Sequence, residues 1–308
     1  MSPADGEVEV EVSVVLATYN HEAFLEQSIA SVLAQETDRP FELIVSEDHS
    51  TDASREIALA CASRDPRVSV LLSPKNLRSN EVMSRGIAAA RGRYVCLLDG
   101  DDYWTSSTKL ERQAALLDAE RSVSAVFHNA VIGSADSVST DRWTPGTHPK
   151  RTTREMIWEG NPFATCAGMM RAEALRGLGP WYHAFFPITD WPLYVLCAED
   201  GDLWFEDEVV GVYRLHAGGE YSAMGDDHQL NAIAEFYARM RALRSPPDDD
   251  VVRRGGSRYF FEWAKVHAAH GERRLGRRCL RHALRAGGVG RSVDCRELVR
   301  LVLGLCRR

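Results

Sequence analysis

Four short apolar runs constrain this 308-residue chain more than any other feature, because most of them break off in a polar cluster. Val12 to Ala17 is a continuous, β-branched run suited to a strand buried on both faces, and it stops at Thr18-Tyr19-Asn20-His21. Phe41 to Ser46 is a second run, stopping at Glu47-Asp48-His49-Ser50-Thr51-Asp52. Val68 to Leu72 is a third, and Tyr94 to Leu98 a fourth, cut off by Asp99-Gly100-Asp101-Asp102. Helical patterns separate them: one with Leu25, Ile29, Val32 and Leu33 on one face, one carrying Ile57 and Cys61, and one from about Asn80 to Arg91. Strands alternating with helices at this spacing predict right-handed crossovers and a largely parallel sheet, an α/β fold. Ligands of such sheets bind beyond the C-terminal ends of the strands, so the polar clusters should converge on one crevice.

The second half is less regular. Lys109 to Ala119 reads as a helix, Ser124 to Ile132 as a strand and Gly133 to Lys150 as a loop. Phe163 to Arg171 reads as a strand, Asp190 to Glu199 as a helix, Glu208 to Leu215 as a strand and about His228 to Leu243 as a helix. Ser245-Pro246-Pro247-Asp248-Asp249-Asp250 has the composition of a linker, with short helical patterns beyond it. The reading therefore places a main domain at 1–244, with a nucleotide-binding part at about 11–132 and a second part at 133–244. A linker at 245–250 and a basic helical appendage at 251–308 follow.

Composition excludes several classes. No run reaches the ~20 apolar residues of a membrane-spanning helix. The seven cysteines are scattered without a C-x-x-C pair, so neither a zinc site nor a disulfide framework is indicated, and a reducing cytoplasm is the expected setting. The net charge of −7 hides an asymmetry. Residues 272–308 hold eleven arginines against Glu272, Asp294 and Glu297, about +8, which leaves about −15 for the rest. An acidic main body argues against nucleic acid as its partner.

Three clusters carry candidate chemistry. Asp99 and Asp101, one residue apart where a buried strand meets solvent, suit a hard divalent cation that shares its remaining positions with a diphosphate; an acidic Asp-Gly turn is the plainer alternative. Asp190, beside Trp191 and Pro192, suits either a general base or a helix N-cap, and local sequence alone favours the cap. His216, followed by Gly218-Gly219, suits a metal or phosphate contact, or else a structural histidine and a hinge. Thr18, Tyr19, Asn20 and Asp48 lie where a nucleotide base and ribose would sit, though each also suits turn formation. No G-x-x-x-x-G-K-[ST], G-x-G-x-x-G or G-x-S-x-G occurs, which disfavours a P-loop, a dinucleotide site or a hydrolase elbow.

Taken in order, the strings VSVVLATYNHEAFLEQSIASVLAQ, FELIVSEDHSTD, GRYVCLLDGDDYWTSSTKLERQ, FHNAVI, ITDWPLYVLCAEDGDL and EVVGVYRLHAGGEYS resemble glycosyltransferase family 2 over about residues 11 to 223. The resemblance implies a GT-A type, Rossmann-like, mostly parallel sheet flanked by helices, with the small C-terminal helical appendage added. It implies that Asp48 contacts the nucleobase, that Asp101 with Asp99 forms the metal- and diphosphate-binding D-x-D, that Asp190 is the catalytic base, and that His216 contacts metal or diphosphate. The implied reaction is inverting transfer of one sugar from a nucleoside diphosphate donor, a UDP-sugar being favoured, to an acceptor hydroxyl, with Mn²⁺ or Mg²⁺ as cofactor. Glu47-Asp48-His49-Ser50 stands where many members read Asp-Asp-Gly-Ser, and Thr189 replaces a frequent Glu. The Q-x-x-R-W motif of processive synthases is missing, which favours single transfer over polymerisation.

Two other classes stay open at this point: a nucleotidyltransferase acting on a sugar phosphate, and a non-catalytic sugar-nucleotide binding protein. The basic tail also has two readings. Arg273, Arg274, Arg277, Arg278, Arg281 and Arg285 alternate with Leu275, Leu280 and Leu284, which fits a solvated face of a helical hairpin ahead of a peripheral contact with an anionic membrane. A homodimer is left open, and no acceptor can be named.

Overall fold

The computed structural model describes residues 9–134, 137–221, 223–243, 246–287 and 295–306, which fall into two compact units. The first runs to Thr152 and resumes from Pro162 to Gly219. Its first half follows the apolar runs. Strands β1 (Val12–Thr18), β2 (Phe41–Glu47), β3 (Val68–Leu72) and β4 (Tyr94–Asp99) are parallel, with β1 in register between β2 and β4. Helices α1 (Leu25–Leu33), α2 (Ser54–Arg64) and α3 (Glu81–Ala89) connect them. Val14, Leu16, Leu43, Val45, Cys96 and Leu98 are fully buried, as expected for strands covered on both faces.

The same sheet continues through β9 (Gly168–Arg171), β6 (Val123–Gly133), β10 (Asp202–Arg214) and the two-residue β5 (Tyr103–Trp104), giving the order β3-β2-β1-β4-β9-β6-β10-β5. The short β9 (Gly168–Arg171) is antiparallel to both β4 and β6, so β4, β6 and the parallel β10 all point the same way. The carboxyl ends of β1, β2, β4 and β10 therefore share one edge. Helix α4 (Lys109–Ala119) precedes β6, and the short α6 (Pro180–His183) and then α7 (Trp191–Asp200) precede β10.

Several expectations need correction. The stretch Gly133 to Lys150 contains a strand, β7 (Val138–Arg142), antiparallel to β6. Phe163 to Arg171 is extended only from Gly168; Thr165–Ala167 is a 3-10 turn, because an apolar run alone does not distinguish a strand from a buried turn. The two-residue strands β5 (Tyr103–Trp104) and β8 (Arg151–Thr152) both pair with β10. They are too short to leave any periodic signature.

The second unit comprises Thr153–Asn161 and the chain from Glu220 onward. It contains α5 (Arg154–Glu159), α8 (Asp226–Leu243), α9 (Pro246–Ala269), α10 (Arg273–Ala286) and α11 (Cys295–Cys306). The stretch read as a linker is helical from Pro246 onward. Proline tolerates a first helical turn, and aspartates there complement the positive end of the helix dipole, so linker-like composition is also helix-start composition. Helix α8 groups with this unit because Leu230, Ile233, Phe236, Tyr237 and Met240 face its core. The Tyr237 hydroxyl donates to the Trp158 carbonyl at 2.6 Å. Gly255 lets α9 approach α5 closely, since a Cβ there would lie 2.5 Å from Trp158.

Candidate active site

The loops after β1 and β2 are tied together. Asn20 and His49 both take positive φ, at 56° and 62°. The Asn20 N–H donates to Ser50 Oγ at 3.1 Å, and Asn20 Oδ1 accepts the Thr51 N–H at 2.8 Å. The His21 N–H donates to Ser54 Oγ at 2.8 Å, and the Glu22 N–H to Asp52 at 3.0 Å. Asn20 is exposed, Tyr19 half-buried and Thr18 buried. Asp48 is buried, and its two oxygens accept the Leu77 N–H at 3.0 and 3.1 Å. Burial raises its carboxyl above the ordinary range, against the pull of the Leu77 and Arg78 N–H groups and the Ser73 hydroxyl.

At the end of β4, the turn through Gly100 separates two carboxylates. Asp101 accepts a hydrogen bond from His216 Nε2 at 2.8 Å and lies 3.8 Å from His21 Nε2. One donor atom from each of His21, Asp101 and His216 lies within 4.8 Å of the others, a set able to hold a metal ion. Burial lowers His21 below the ordinary histidine value, against the pull of Asp101, and so favours the neutral form that a metal ligand needs. Its Nδ1 lies 3.4 Å from Thr18 Oγ1, which leaves Nε2 turned toward Asp101. The hydrogen bond to Asp101 raises His216. Burial would raise Asp101, but the bond from His216 and the charges of both imidazoles outweigh it and hold the carboxyl low. A Cβ on Gly100 would lie 2.7 Å from His21 Nδ1 and 2.8 Å from Thr18 Oγ1, so the turn admits no side chain without displacing them.

Asp102 points inward and is 1% exposed. Its Oδ1 accepts the Arg214 N–H at 2.8 Å, while Oδ2 has no hydrogen-bond partner. Burial and the charges of Asp101 and Asp99 push its carboxyl well up. The Arg214 side chain lies over the rings of Tyr103 (4.3 Å) and Phe24 (5.0 Å) and donates to the Asp101 carbonyl and to Gln27.

Asp190 caps α7, accepting the Trp191 N–H at 2.7 Å, and the Thr165 hydroxyl lies 3.4 Å from its other oxygen. The preceding residues are pinned by buried Asn80, which donates to the Ile188 carbonyl at 2.8 Å, and by Tyr182, whose hydroxyl donates to the Thr189 carbonyl at 2.8 Å. The Thr165 turn is held from below. Lys109, fully buried, donates to the Gly168 carbonyl at 3.1 Å, Gln113 to the Ala167 carbonyl at 2.8 Å and the Trp104 indole to the Cys166 carbonyl at 2.8 Å.

Asp99 lies outside the His21–Asp101–His216 group. It acts electrostatically on the same buried phenols as Asp190: burial raises Tyr182 and Tyr194, and both carboxylates add to it. Tyr213 is raised by burial and then by Asp102, Asp99, Asp101 and Asp190 together. His21 is the functional candidate that the sequence reading passed over. Its only signal was its place directly after Asn20 at the end of β1, opposite Gly100.

The glycosyl transferase family 2 model matches residues 13–178, and the chain belongs to that family. Among curated relatives, an uncharacterized protein of Mycobacterium bovis is 29% identical over 223 residues, covering 71% of this chain and 62% of the relative. The aligned region thus spans about three-fifths of that relative's length. Among solved structures, TarS residues 1–349 of S. aureus, in complex with UDP-GlcNAc, superposes with a TM-score of 0.64 at 18% identity, covering 90% of this chain and 81% of that one. The mannosyltransferase PcManGT of Pyrobaculum calidifontis, in complex with GDP-Man and Mn²⁺, has a TM-score of 0.54 at 16% identity, covering 98% and 83%. These likenesses establish the GT-A type fold.

Proposed function

We propose that this chain transfers one glycosyl unit from a nucleoside diphosphate sugar to an acceptor hydroxyl, with inversion at the anomeric carbon and Asp190 as the general base. The observation that carries the reading is the His21–Asp101–His216 group just past the end of β4, a donor set able to hold a divalent cation. That group stands where a diphosphate would lie, and the Asp190 carboxylate is fixed at a helix start. The nucleotide sugars held by TarS and PcManGT support a donor of that class.

The roles follow from position. Thr18, Tyr19, Asn20 and Asp48 line the nucleoside end, with Asp48 set to accept a base N–H. Asp190 takes the proton of the acceptor oxygen as that oxygen forms its bond to the anomeric carbon and the bond to the diphosphate breaks. The Trp191 N–H and the Thr165 hydroxyl fix the direction of the Asp190 carboxylate. His21, Asp101 and His216 fit a divalent cation. Such an ion, when bound, neutralises charge on the departing diphosphate. Two imidazoles beside one carboxylate favour Mn²⁺ over Mg²⁺, since nitrogen donors suit the softer ion.

Asp190→Asn tests the assignment. Transfer should fall by about a thousandfold or more while donor affinity stays near that of the wild type. Turnover close to wild type in this variant would overturn the role of Asp190.

A further inference from the structure

The basic C-terminus separates into two faces with different partners. On α10, Arg274 and Arg278 both reach Asp227 at the start of α8, and Arg278 also donates to Asn231 at 2.6 Å. Those arginines hold the helical unit together. Helix α11 differs. Leu301 and Leu305 point inward and are buried, whereas Val299, Val302 and Leu303 are 58%, 38% and 56% exposed. At 100° per residue Val299 and Leu303 fall together on the side of the helix away from its packed face, and Val302 lies between them and that face. Arg296 and Arg300 are exposed along the same side, next to Leu303. Glu297, the acidic residue of the helix, lies beyond these arginines toward the packed face, 3.8 Å from Lys265. Arg277 donates to the Leu305 carbonyl at 3.1 Å, adding an exposed cation at the last turn.

We propose that this second apolar face of α11 docks on an anionic lipid surface. Three neighbouring aliphatic side chains bordered on one flank by arginines form the pattern of a helix lying in the membrane interface, with apolar groups at the acyl boundary and cations among headgroups. The charge of the region argues for this occupant over others. Residues 272–308 carry eleven arginines and three acids, a balance that anionic headgroups attract. The same balance sets two copies of the face against each other.

The test is flotation of the full chain with vesicles of phosphatidylcholine alone and of phosphatidylcholine with phosphatidylglycerol. The wild type should float only with the anionic vesicles, and raised salt should weaken the binding. V299S/L303S should bind at least about tenfold more weakly, and R296Q/R300Q several-fold more weakly. Leu243→Ser, at an exposed apolar position on α8, should bind as the wild type does. Equal binding by V299S/L303S and wild type, with both folded by circular dichroism, would overturn the proposal. So would a wild-type chain that ignores anionic vesicles, including one that sediments as a dimer broken by V299S/L303S, since the face would then be a self-interface.

Discussion

The two ends of the strands in the main sheet are built on opposite electrostatic plans. At the amino ends of β1 and β4, carboxylates and guanidiniums are matched. Arg39 contacts Glu11, Glu111 and Asp118, Arg93 contacts Glu11 and Asp118, and the Tyr94 hydroxyl donates to Asp118 at 2.7 Å. At the carboxyl ends, carboxyl groups crowd instead. Asp99, Asp101 and Asp102 are nearly consecutive, Asp102 is buried with an unpartnered oxygen, and the nearby Arg214 donates to a carbonyl and an amide oxygen. Matched charges of the first kind serve cohesion. Crowded carboxylates are costly to fold, and such arrangements mark sites where a ligand's charge completes the balance.

The contrast breaks most sharply at Asp101. Asp101→Asn should reduce transfer by about a hundredfold to a thousandfold without lowering the melting temperature of the ligand-free protein, as activity assays and calorimetry would show. A large loss of stability would place Asp101 with the cohesive charges instead. Buried histidines offer the next comparison. Burial lowers His128 to about 4, from an ordinary 6.5. The unfolded chain therefore takes up this proton first, so stability is full above pH 6.5 and falls as pH drops toward 4. The loss is on the order of 3 kcal/mol for this group. Denaturant unfolding between those pH values should show a flatter acid limb in His128→Gln, and an unchanged slope would contradict the assignment.

At the matched end, Arg39→Ala should cost about 1 to 3 kcal/mol, reduced from the value for a fully buried pair by the partial exposure of its partners. Specific activity per folded molecule should stay unchanged. The smallest effect expected is at the turn. Gly100→Ala, by displacing His21 and Thr18, should weaken donor affinity by about tenfold or less. Wild-type donor affinity there would mean that His21 takes no part in binding.

The first hundred residues announced themselves because each buried strand is a continuous β-branched run that ends in polar loop residues. Strand β10 was legible only from Glu208 onward, since its first half carries half-buried Asp202 and Glu206 and exposed Asp207, neutralised by Arg151, Lys150 and Arg142. The helix start at Pro246 read as a linker because the same residues serve both purposes. In the site, Asp101 and His216 stood out by motif and the structure brings them together, whereas His21 did not, because a single histidine in a loop carries no spacing to read. The supporting residues Lys109, Gln113 and Asn80 were invisible for another reason. Their partners are backbone carbonyls far along the chain, a relation that only the folded sheet creates.

The central claim is that the crowded carboxyl edge binds a nucleoside diphosphate through a metal ion, and calorimetric titration tests it most directly. UDP, GDP, CDP and dTDP would each be titrated into the wild type and into Asp101→Asn, with Mn²⁺, with Mg²⁺ and with neither. The account expects one diphosphate to bind selectively, more tightly with Mn²⁺ than with Mg²⁺, and Asp101→Asn to lose that metal-dependent gain. Binding that is indifferent to metal and to Asp101→Asn, or no binding by the folded wild type, would contradict it.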